Sequence, residues 1–267
     1  MFRSAVIGQY YPVESPVHRL DPRTKITVTF VFIVVLFVAN SPAAYASLAV
    51  FTVLAVWLSR VPLRLLLRGL RPVLFILVFT LGLHLFMTKG DTLFAIGPLV
   101  ASKQGALQGA YTAIRLLLLL FTTSLLTLTT SPISLTDGLE SLMKPFQRFG
   151  VPAHELAMMM TIALRFIPTL MEEAERVMKA QMARGADFES GNIFQRAKSL
   201  VPLLVPLFVS AFRRADDLAL AMEARCYRGG ENRTRMKQLR AGAPDALAGV
   251  VTTVMVASLV YLRWYRK

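Results

Sequence analysis

The 267-residue sequence contains one cysteine, Cys226, and three histidines. A single cysteine cannot form an intramolecular disulfide, and these few residues do not have the ligand spacing of a zinc site. The sequence also lacks a Gly-x-x-x-x-Gly-Lys-Ser/Thr phosphate loop, which excludes ATP hydrolysis by that route. We therefore expect no catalytic residues, no metal site and no cofactor in this chain.

Acidic residues are also scarce, with 16 Asp and Glu against 30 Lys and Arg, which gives a net charge of +14. Such an excess can indicate nucleic-acid binding, but the basic residues lie between apolar runs and at their ends. That placement follows the positive-inside rule, so we expect no nucleic-acid partner. Hydrophobic residues make up 55% of the chain, which is too apolar for a soluble protein of this size and predicts a location in a lipid bilayer.

The apolar runs predict an all-α integral membrane protein with about five transmembrane helices. The run from Ile26 to Leu58 is too long for one helix that needs ~20 residues, and Asn40-Ser41-Pro42 divides it in two. Asp21 is expected to cap the first helix ahead of Pro22. Further spans are predicted from Pro72 to about Met87, from about Gly105 to Thr130 and from about Pro244 to Tyr261.

Arginines predict the orientation of these helices. The connection that contains Arg60, Arg64, Arg68 and Arg71 has no acidic residue, which is typical of a cytoplasmic loop. Counting spans from there predicts a cytoplasmic N-terminal segment (1–24), transmembrane helices one to four (25–130), a cytoplasmic segment (131–242) and a fifth helix with the C-terminal tail (243–267). A fifth span places the C-terminus outside the cell. The basic residues of the tail argue against that side, so the side of the C-terminus stays open.

The cytoplasmic segment is predicted to contain two long amphipathic helices, separated by a polar turn at Glu189-Ser190-Gly191-Asn192. One runs from about Ala153 to Arg184, and the other carries apolar residues from Phe194 to Met222 at helical spacing. An apolar stripe this long on two helices predicts an external partner, and methionine suits such a surface because that side chain repacks readily. The stripe can equally pack within this chain or lie on lipid. The predicted surface residues are Met160, Leu164, Met171, Met178, Leu204, Phe208 and Phe212.

An arginine triplet ends each amphipathic helix: Ala183-Arg184-Gly185 in the first and Ala224-Arg225-Cys226 in the second. The small flanking residues allow another protein to approach closely, so that each guanidinium can bind a carboxylate through two hydrogen bonds. Alternatively, each arginine only interacts with the helix macrodipole, which contributes ~0.3–1 kcal/mol. Spacing alone leaves both interpretations open.

The segments Gly8-Gln9-Tyr10-Tyr11-Pro12 and Ser15-Pro16-Val17-His18-Arg19-Leu20-Asp21-Pro22-Arg23-Thr24-Lys25 precede the spans and the triplets. Over nearly the whole chain, this order of features resembles the transmembrane T component of energy-coupling factor (ECF) transporters. The resemblance implies a membrane bundle with long cytoplasmic coupling helices. It also implies two ATP-binding-cassette (ABC) ATPases, which bind the ATP, and a substrate-binding S component in the membrane. The implied N-terminal signature residues are His18, Leu20, Asp21, Pro22, Arg23 and Lys25.

By this resemblance, the triplets around Arg184 and Arg225 dock into the ATPases, and ATP-driven motion passes to the S component. The implied function is uptake of vitamins or other micronutrients across the cell membrane of a prokaryote. Cys226 departs from the family pattern, which has glycine at that position. The N-terminal signature is more similar to the shared, multi-substrate type, while a dedicated cobalt, nickel or biotin subunit is the alternative.

Other polar residues permit different interpretations. An intramembrane enzyme that uses Arg115, His84 and Glu140 is one alternative, and a self-contained channel or carrier is another, although it would need more polar residues within the spans. We interpret His84 as a hydrogen-bonded core residue and expect Arg115 to pair internally or reach the outer interface. Gly105 and Gly109 are expected to allow close packing between helices.

Overall fold

The computed structural model describes residues 10–89, 91–96, 99–188, 192–230 and 238–265. Residues 189–191 of the predicted turn at 189–192, the first nine residues of the N-terminal segment and the last two residues of the tail lie outside these ranges. Eight α-helices dominate the described residues, in agreement with the predicted class. They are α1 (Pro22–Val38), α2 (Pro42–Ser59), α3 (Leu63–Met87), α4 (Lys103–Thr129), α5 (Pro132–Met143), α6 (Ala153–Ala183), α7 (Ile193–Ala224) and α8 (Ala243–Tyr265).

Two smaller elements complete the described part of the chain. Strands β1 (Thr92–Ile96) and β2 (Leu99–Ser102) pair antiparallel between α3 and α4. A 3-10 helix, Lys144–Phe149, follows α5 and ends at Gly150, whose φ is 84°. This β-hairpin was not predicted, because local β propensity is the only sequence signal for strands of five and four residues.

The chain divides into two compact units. The bundle unit contains the described residues 10–139 and 238–265, and the hairpin unit contains the described residues 140–230. Four described helices are long and apolar enough to cross a membrane, namely α2, α3, α4 and the Ala243–Tyr261 part of α8. All four belong to the bundle unit. Helix α1 has 17 residues, at the short end of the ~17–25 residues that span a bilayer.

The third predicted span begins earlier than Pro72. Helix α3 begins at Leu63 and contains Pro72 in its interior. Leucine and arginine, which are good helix formers, dominate the residues before the proline. Leu66 is also buried there, in a cluster with Val61, Leu125 and Leu128. That packing offsets the helix-breaking effect of proline, so the connection that was expected to be a loop is largely helical.

A core shared by four helices holds the bundle unit together. Phe32 and Leu36 of α1 pack with Leu48 of α2, Leu118 of α4 and Leu259 of α8. The helices α3 and α4 approach closely at two glycines, as expected. A Cβ atom on Gly109 would lie 2.9 Å from the Leu81 side chain, and one on Gly105 would overlap the backbone carbonyl of His84.

The N-terminal signature joins the ends of α1, α4 and α8. Asp21 caps α1 as predicted, since its Oδ1 accepts a hydrogen bond from the Arg23 amide at 2.9 Å. The Asp21 amide in turn donates to Asp245 Oδ1 at 2.8 Å, and Asp245 Oδ2 accepts from the Gly242 amide at 2.8 Å. The carboxylate of Asp245 therefore links the beginning of α8 to the beginning of α1.

Lys25 and His18 extend this junction. The buried ammonium of Lys25 donates to the backbone carbonyls of Thr129, at 2.8 Å, and His18, at 3.2 Å. The His18 ring forms hydrogen bonds with Ser15 Oγ at 2.7 Å and with the Tyr11 carbonyl at 3.0 Å. Burial lowers the pKa of His18. These signature residues thus have structural contacts within the bundle unit.

Candidate functional site

The hairpin unit presents both arginine triplets, and the packing of α6 against α7 determines where each one lies. Arg214 of α7 donates to Glu173 of α6 at 2.9 Å. Further toward the C-terminal end of α6, Gln181 donates to the carbonyl of Pro202, near the beginning of α7, at 3.5 Å. The two helices are therefore antiparallel. The triplets must lie at opposite ends of the pair. Because Gln181 is level with Pro202, they are separated by roughly 35–40 Å if α7 is straight.

The first triplet forms a Schellman cap at the C-terminus of α6. Arg184 is the C-cap residue of α6, and Gly185 follows with a left-handed φ of 88°. The Gly185 amide donates to the Met182 carbonyl at 3.0 Å, and the Ala186 amide donates to the Gln181 carbonyl at 2.9 Å. This pair of bonds defines the Schellman motif, for which glycine is the usual left-handed residue.

The second triplet forms the same cap at the end of α7. The Cys226 amide donates to the Glu223 carbonyl at 2.8 Å, and the Tyr227 amide donates to the Met222 carbonyl at 3.0 Å. Cys226 takes the left-handed position, with a φ of 54°. Although cysteine replaces glycine, the backbone at Arg225 has the same hydrogen-bond pattern as at Arg184.

Both arginine side chains are accessible. Arg184 and Arg225 are exposed, and none of the ion pairs among the described residues involves either of them. Beside Arg225 lies an open groove of about 530 Å³. Its lining includes Met158, Ile162 and Met222, together with Arg228. The guanidinium-bearing residues Arg225 and Arg228 thus lie beside the apolar lining of this groove.

A contact that the sequence analysis missed fixes the segment after the second triplet. A Cβ atom on Gly230 would lie 2.8 Å from the ring of His154, so only glycine fits there without displacement. The His154 ring is also bonded to Glu140 at 3.0 Å. The pair Gly229-Gly230 is the sequence signal at this point, and glycines after a helix are a common stop.

The predicted apolar stripe divides into an exposed part and a half-buried part. On α7, Leu204, Phe208 and Phe212 have exposed fractions of 46%, 61% and 68%. On α6, Met160 is 39% exposed. The remaining predicted residues, Leu164, Met171 and Met178, are half-buried. The exposed face of α7 also includes Val201, which the helical spacing placed on the apolar side, and three residues that were not predicted, namely Val205, Val209 and Leu220.

Comparisons with known proteins identify the family. A family model described as "Cobalt transport protein" (CbiQ) matches residues 13–236. A relative from Thermosediminibacter oceani is 61% identical over 262 residues, which cover 98% of this chain and 99% of the relative. One from Bacillus subtilis strain 168 is 50% identical over 264 residues, covering 98% and 100% of the two chains. Both are named energy-coupling factor transporter transmembrane protein EcfT.

The chain belongs to the CbiQ family of energy-coupling factor transporter transmembrane components. Another relative with the same name, from Acidaminococcus fermentans, is 54% identical over 264 residues, with coverage of 99% and 98%. The predicted T-component family is therefore confirmed, and the chain is a membrane component of a transporter.

The residues considered for an intramembrane enzyme lie in different units. Arg115 and His84 line one pocket of about 250 Å³ in the bundle unit. Arg115 donates a hydrogen bond to the Tyr45 hydroxyl at 2.7 Å, which is the internal pairing that was expected. His84 is half-buried, and its backbone carbonyl and Cβ atom lie against Gly105 and Gly109 of α4. Its interpretation as a hydrogen-bonded core residue stays a prediction. Glu140 belongs to the hairpin unit. The described residues contain no group of three or more His, Cys, Asp or Glu that could hold a metal ion.

Proposed function

We propose that this chain is the coupling subunit of an ECF-type ABC importer, in which each triplet docks into one of two ABC ATPases. The observation that carries this proposal is the pair of matching helix caps, which present Arg184 and Arg225 at opposite ends of the α6–α7 pair. Two sites so far apart suit two separate ATPase subunits. ATP binds to these partners, and this chain needs no cofactor.

The geometry of each cap explains how a docked arginine transmits motion. The left-handed residue after each arginine turns the chain sharply away from the helix axis. The guanidinium is therefore free to enter an acidic groove and bind a carboxylate there. Helices α6 and α7 continue for 31 and 32 residues, through Pro168 in α6 and through Pro202 and Pro206 in α7. In this proposal a displacement at either end passes along the pair.

The exposed face of α7 is the surface proposed for the S component. Phe208 and Phe212 are the most exposed of the predicted stripe residues, and aromatic side chains are enriched at the centre of protein interfaces. Movement of this face against the S component would release a vitamin or other micronutrient inside the cell. Such a role requires that the hairpin unit and the N-terminus are cytoplasmic.

The proposed substrate range rests on a resemblance. The three relatives above carry the EcfT name, and the N-terminal signature is more similar to the shared, multi-substrate type than to the dedicated subunits. We therefore propose several alternative S components rather than one dedicated cobalt, nickel or biotin subunit. Co-purification of more than one kind of S component with the tagged chain would support this part of the proposal. A single constant S component would contradict it.

The docking proposal is tested by charge reversal. The tagged chain is purified from membranes that also contain the ABC ATPases of its source organism, as wild type, Arg184→Glu, Arg225→Glu and the double variant. The matched control is Arg165→Glu with Arg213→Glu, because both arginines are exposed on α6 and α7 but lie away from the caps.

We expect the wild type and the control to retain the ATPases and the double variant to lose them while keeping its fold. Each single variant should retain one of the two docking contacts and bind more weakly. Full retention by the double variant would show that the triplets are only helix ends. Equal loss in the control would show that general charge, rather than the cap position, determines binding.

A further inference from the structure

The beginning of α3 carries a row of exposed arginines that the proposed function does not use. Arg64, Arg68 and Arg71 are spaced four and three residues apart, so they share one face of the helix. Arg60, which ends α2 with a left-handed φ of 55°, lies immediately before this helix. All four are exposed. We call these four residues the arginine stripe.

The chain supplies no nearby carboxylate along the sequence to neutralise this stripe. Between Asp21 and Asp137 the sequence contains a single acidic residue, Asp91. Asp91 lies beyond the other end of α3, 20 positions after Arg71, which corresponds to ~30 Å along a helix. None of the ion pairs within the described ranges includes a stripe arginine. Four neighbouring positive charges therefore favour an external anion.

An exposed apolar face lies beside the stripe. Leu63, Leu67 and Leu74 have exposed fractions of 61%, 51% and 60%, and their spacing of four and seven residues places them together on the helix. Leu66, on the opposite side, is only 1% exposed and packs in the bundle. The exposed surface of this segment thus combines a leucine face with an arginine face, which is the pattern of a helix at a lipid interface.

Two further features place the stripe at the level of the lipid headgroups. Helix α3 has 25 residues, or ~37 Å, which exceeds the ~30 Å hydrocarbon core of a bilayer. A helix of this length can place its arginine-bearing end in the headgroup region, where arginine is favoured. Trp57, one turn before Arg60, is 74% exposed, and exposed tryptophan at the end of a span is typical of the membrane interface.

We propose that the arginine stripe binds the phosphate groups of anionic phospholipids, while the adjacent leucines contact their acyl chains. Guanidinium groups suit this partner because their planar fork can donate two hydrogen bonds to one phosphate. The inference concerns the bundle unit alone and does not depend on ATPase docking. Bound anionic phospholipids would then fix the beginning of α3 at the membrane surface.

The experiment measures lipid binding to the full chain, purified in detergent and placed in nanodiscs of phosphatidylcholine with increasing phosphatidylglycerol. Bound phosphatidylglycerol is counted by native mass spectrometry. The variants are R64Q/R68Q/R71Q, which removes three charges, and R64K/R68K/R71K, which keeps the charges but loses the fork. The matched control is R148Q/R165Q/R213Q, because it removes three exposed arginines from the hairpin unit.

We expect the glutamine variant to bind phosphatidylglycerol about five-fold more weakly for each arginine removed, because a basic residue near an anionic surface contributes ~1 kcal/mol. The lysine variant should lie between it and the wild type, and the control should match the wild type. Added salt should weaken the wild-type binding. The lysine variant decides the question if the glutamine variant fails to insert, because it keeps the charges that govern topology.

Three results would overturn the proposal. The first is equal retention of phosphatidylglycerol by the wild type and by both stripe variants. The second is displacement of the lipid by soluble glycerol phosphate at millimolar concentration, which would indicate a site for free phosphate compounds. The third is a glutamine variant that keeps its lipid but loses the ATPases or the S component, since the stripe would then be a protein-binding surface. Loss of ATPases from the cap variants with unchanged lipid binding would leave the inference standing.

Discussion

Gly185 and Cys226 occupy equivalent positions in two helix caps, each directly after an arginine and each with a left-handed backbone, at φ 88° and 54°. Glycine adopts this conformation freely, whereas an L-residue such as cysteine is strained there. The second cap nevertheless forms the same two hydrogen bonds as the first. The hydrogen bonds of the cap therefore compensate for the backbone strain at Cys226.

Replacing the strained residue should stabilise the protein. We expect Cys226→Gly to raise the free energy of unfolding by roughly 0.5–1 kcal/mol, because glycine relieves the left-handed strain. The reciprocal change, Gly185→Ala, should lower it by about 1 kcal/mol, since no atom crowds the added Cβ and only the backbone conformation is unfavourable. Thermal unfolding in detergent measures both. Cys226→Ser is the control and should behave as wild type. A serine variant as stable as the glycine variant would attribute the effect to the thiol.

Removing the Asp245 carboxylate should loosen the junction of α1 with α8. Asp245→Ala leaves the amides of Asp21 and Gly242 without their acceptor, so we expect a loss of ~1–3 kcal/mol. Thermal unfolding of the variant in detergent measures this loss. Asp217→Ala, on the exposed surface of α7, is the matched control and should unfold like wild type. Equal stability of the two variants would contradict the structural role of Asp245.

Enlarging Gly230 should displace His154. The added methyl group of Gly230→Ala would lie 2.8 Å from the His154 ring, and overpacking of this kind costs ~1–3 kcal/mol. The displacement should also break the 3.0 Å contact between His154 and Glu140. Protease susceptibility of the segment after α7 reports the change. Adding His154→Ala should restore protection in part by making room, whereas Gly249→Ala, where the space is open, should have no effect. Unchanged protection in Gly230→Ala would contradict the contact.

The ion pair between Glu173 and Arg214 should couple α6 to α7 weakly. Their side chains are 24% and 41% exposed, so a double-mutant cycle with glutamine at both positions should give about 0.5–1 kcal/mol. The test is whether the coupling energy differs from zero. A coupling of zero would show that this ion pair does not stabilise the packing of α6 against α7.

The same pair predicts a pH dependence. Hydrogen bonding to Ser210 and then to Arg214 lowers the pKa of Glu173 below its ordinary value of 4.5. A carboxyl whose pKa is lowered by folding stabilises the folded protein above its ordinary pKa, and this contribution is lost as the pH falls through the lower, folded value. Stability measured from pH 6 downward should therefore decrease more steeply in the wild type than in Glu173→Gln. Identical slopes would exclude this contribution.

Much of the architecture could be predicted from local sequence signals. Apolar runs of sufficient length gave the spans, and Asp21 ahead of Pro22 gave the beginning of α1, because a capping carboxylate acts on its own helix. The helix predicted from about Ala153 to Arg184 corresponds closely to α6. The arginine triplets were also found from sequence, because a helix followed by a glycine turn is encoded within a few residues. Their role in ATPase docking remains a proposal.

Other features depend on residues that are distant in the chain, so no local signal announces them. Burial of Leu66 against Leu125 and Leu128 extends α3 past Pro72, and the amide of Asp21 finds its acceptor 224 positions away at Asp245. The antiparallel packing of α6 and α7 sends the two triplets to opposite ends of the hairpin unit, although sequence gives only their separation along the chain. The sequence by itself determined the helices, their caps and the membrane class, because those follow from neighbouring residues. The tertiary structure alone decided which residues meet, because packing and buried hydrogen bonds join segments that the chain order keeps apart.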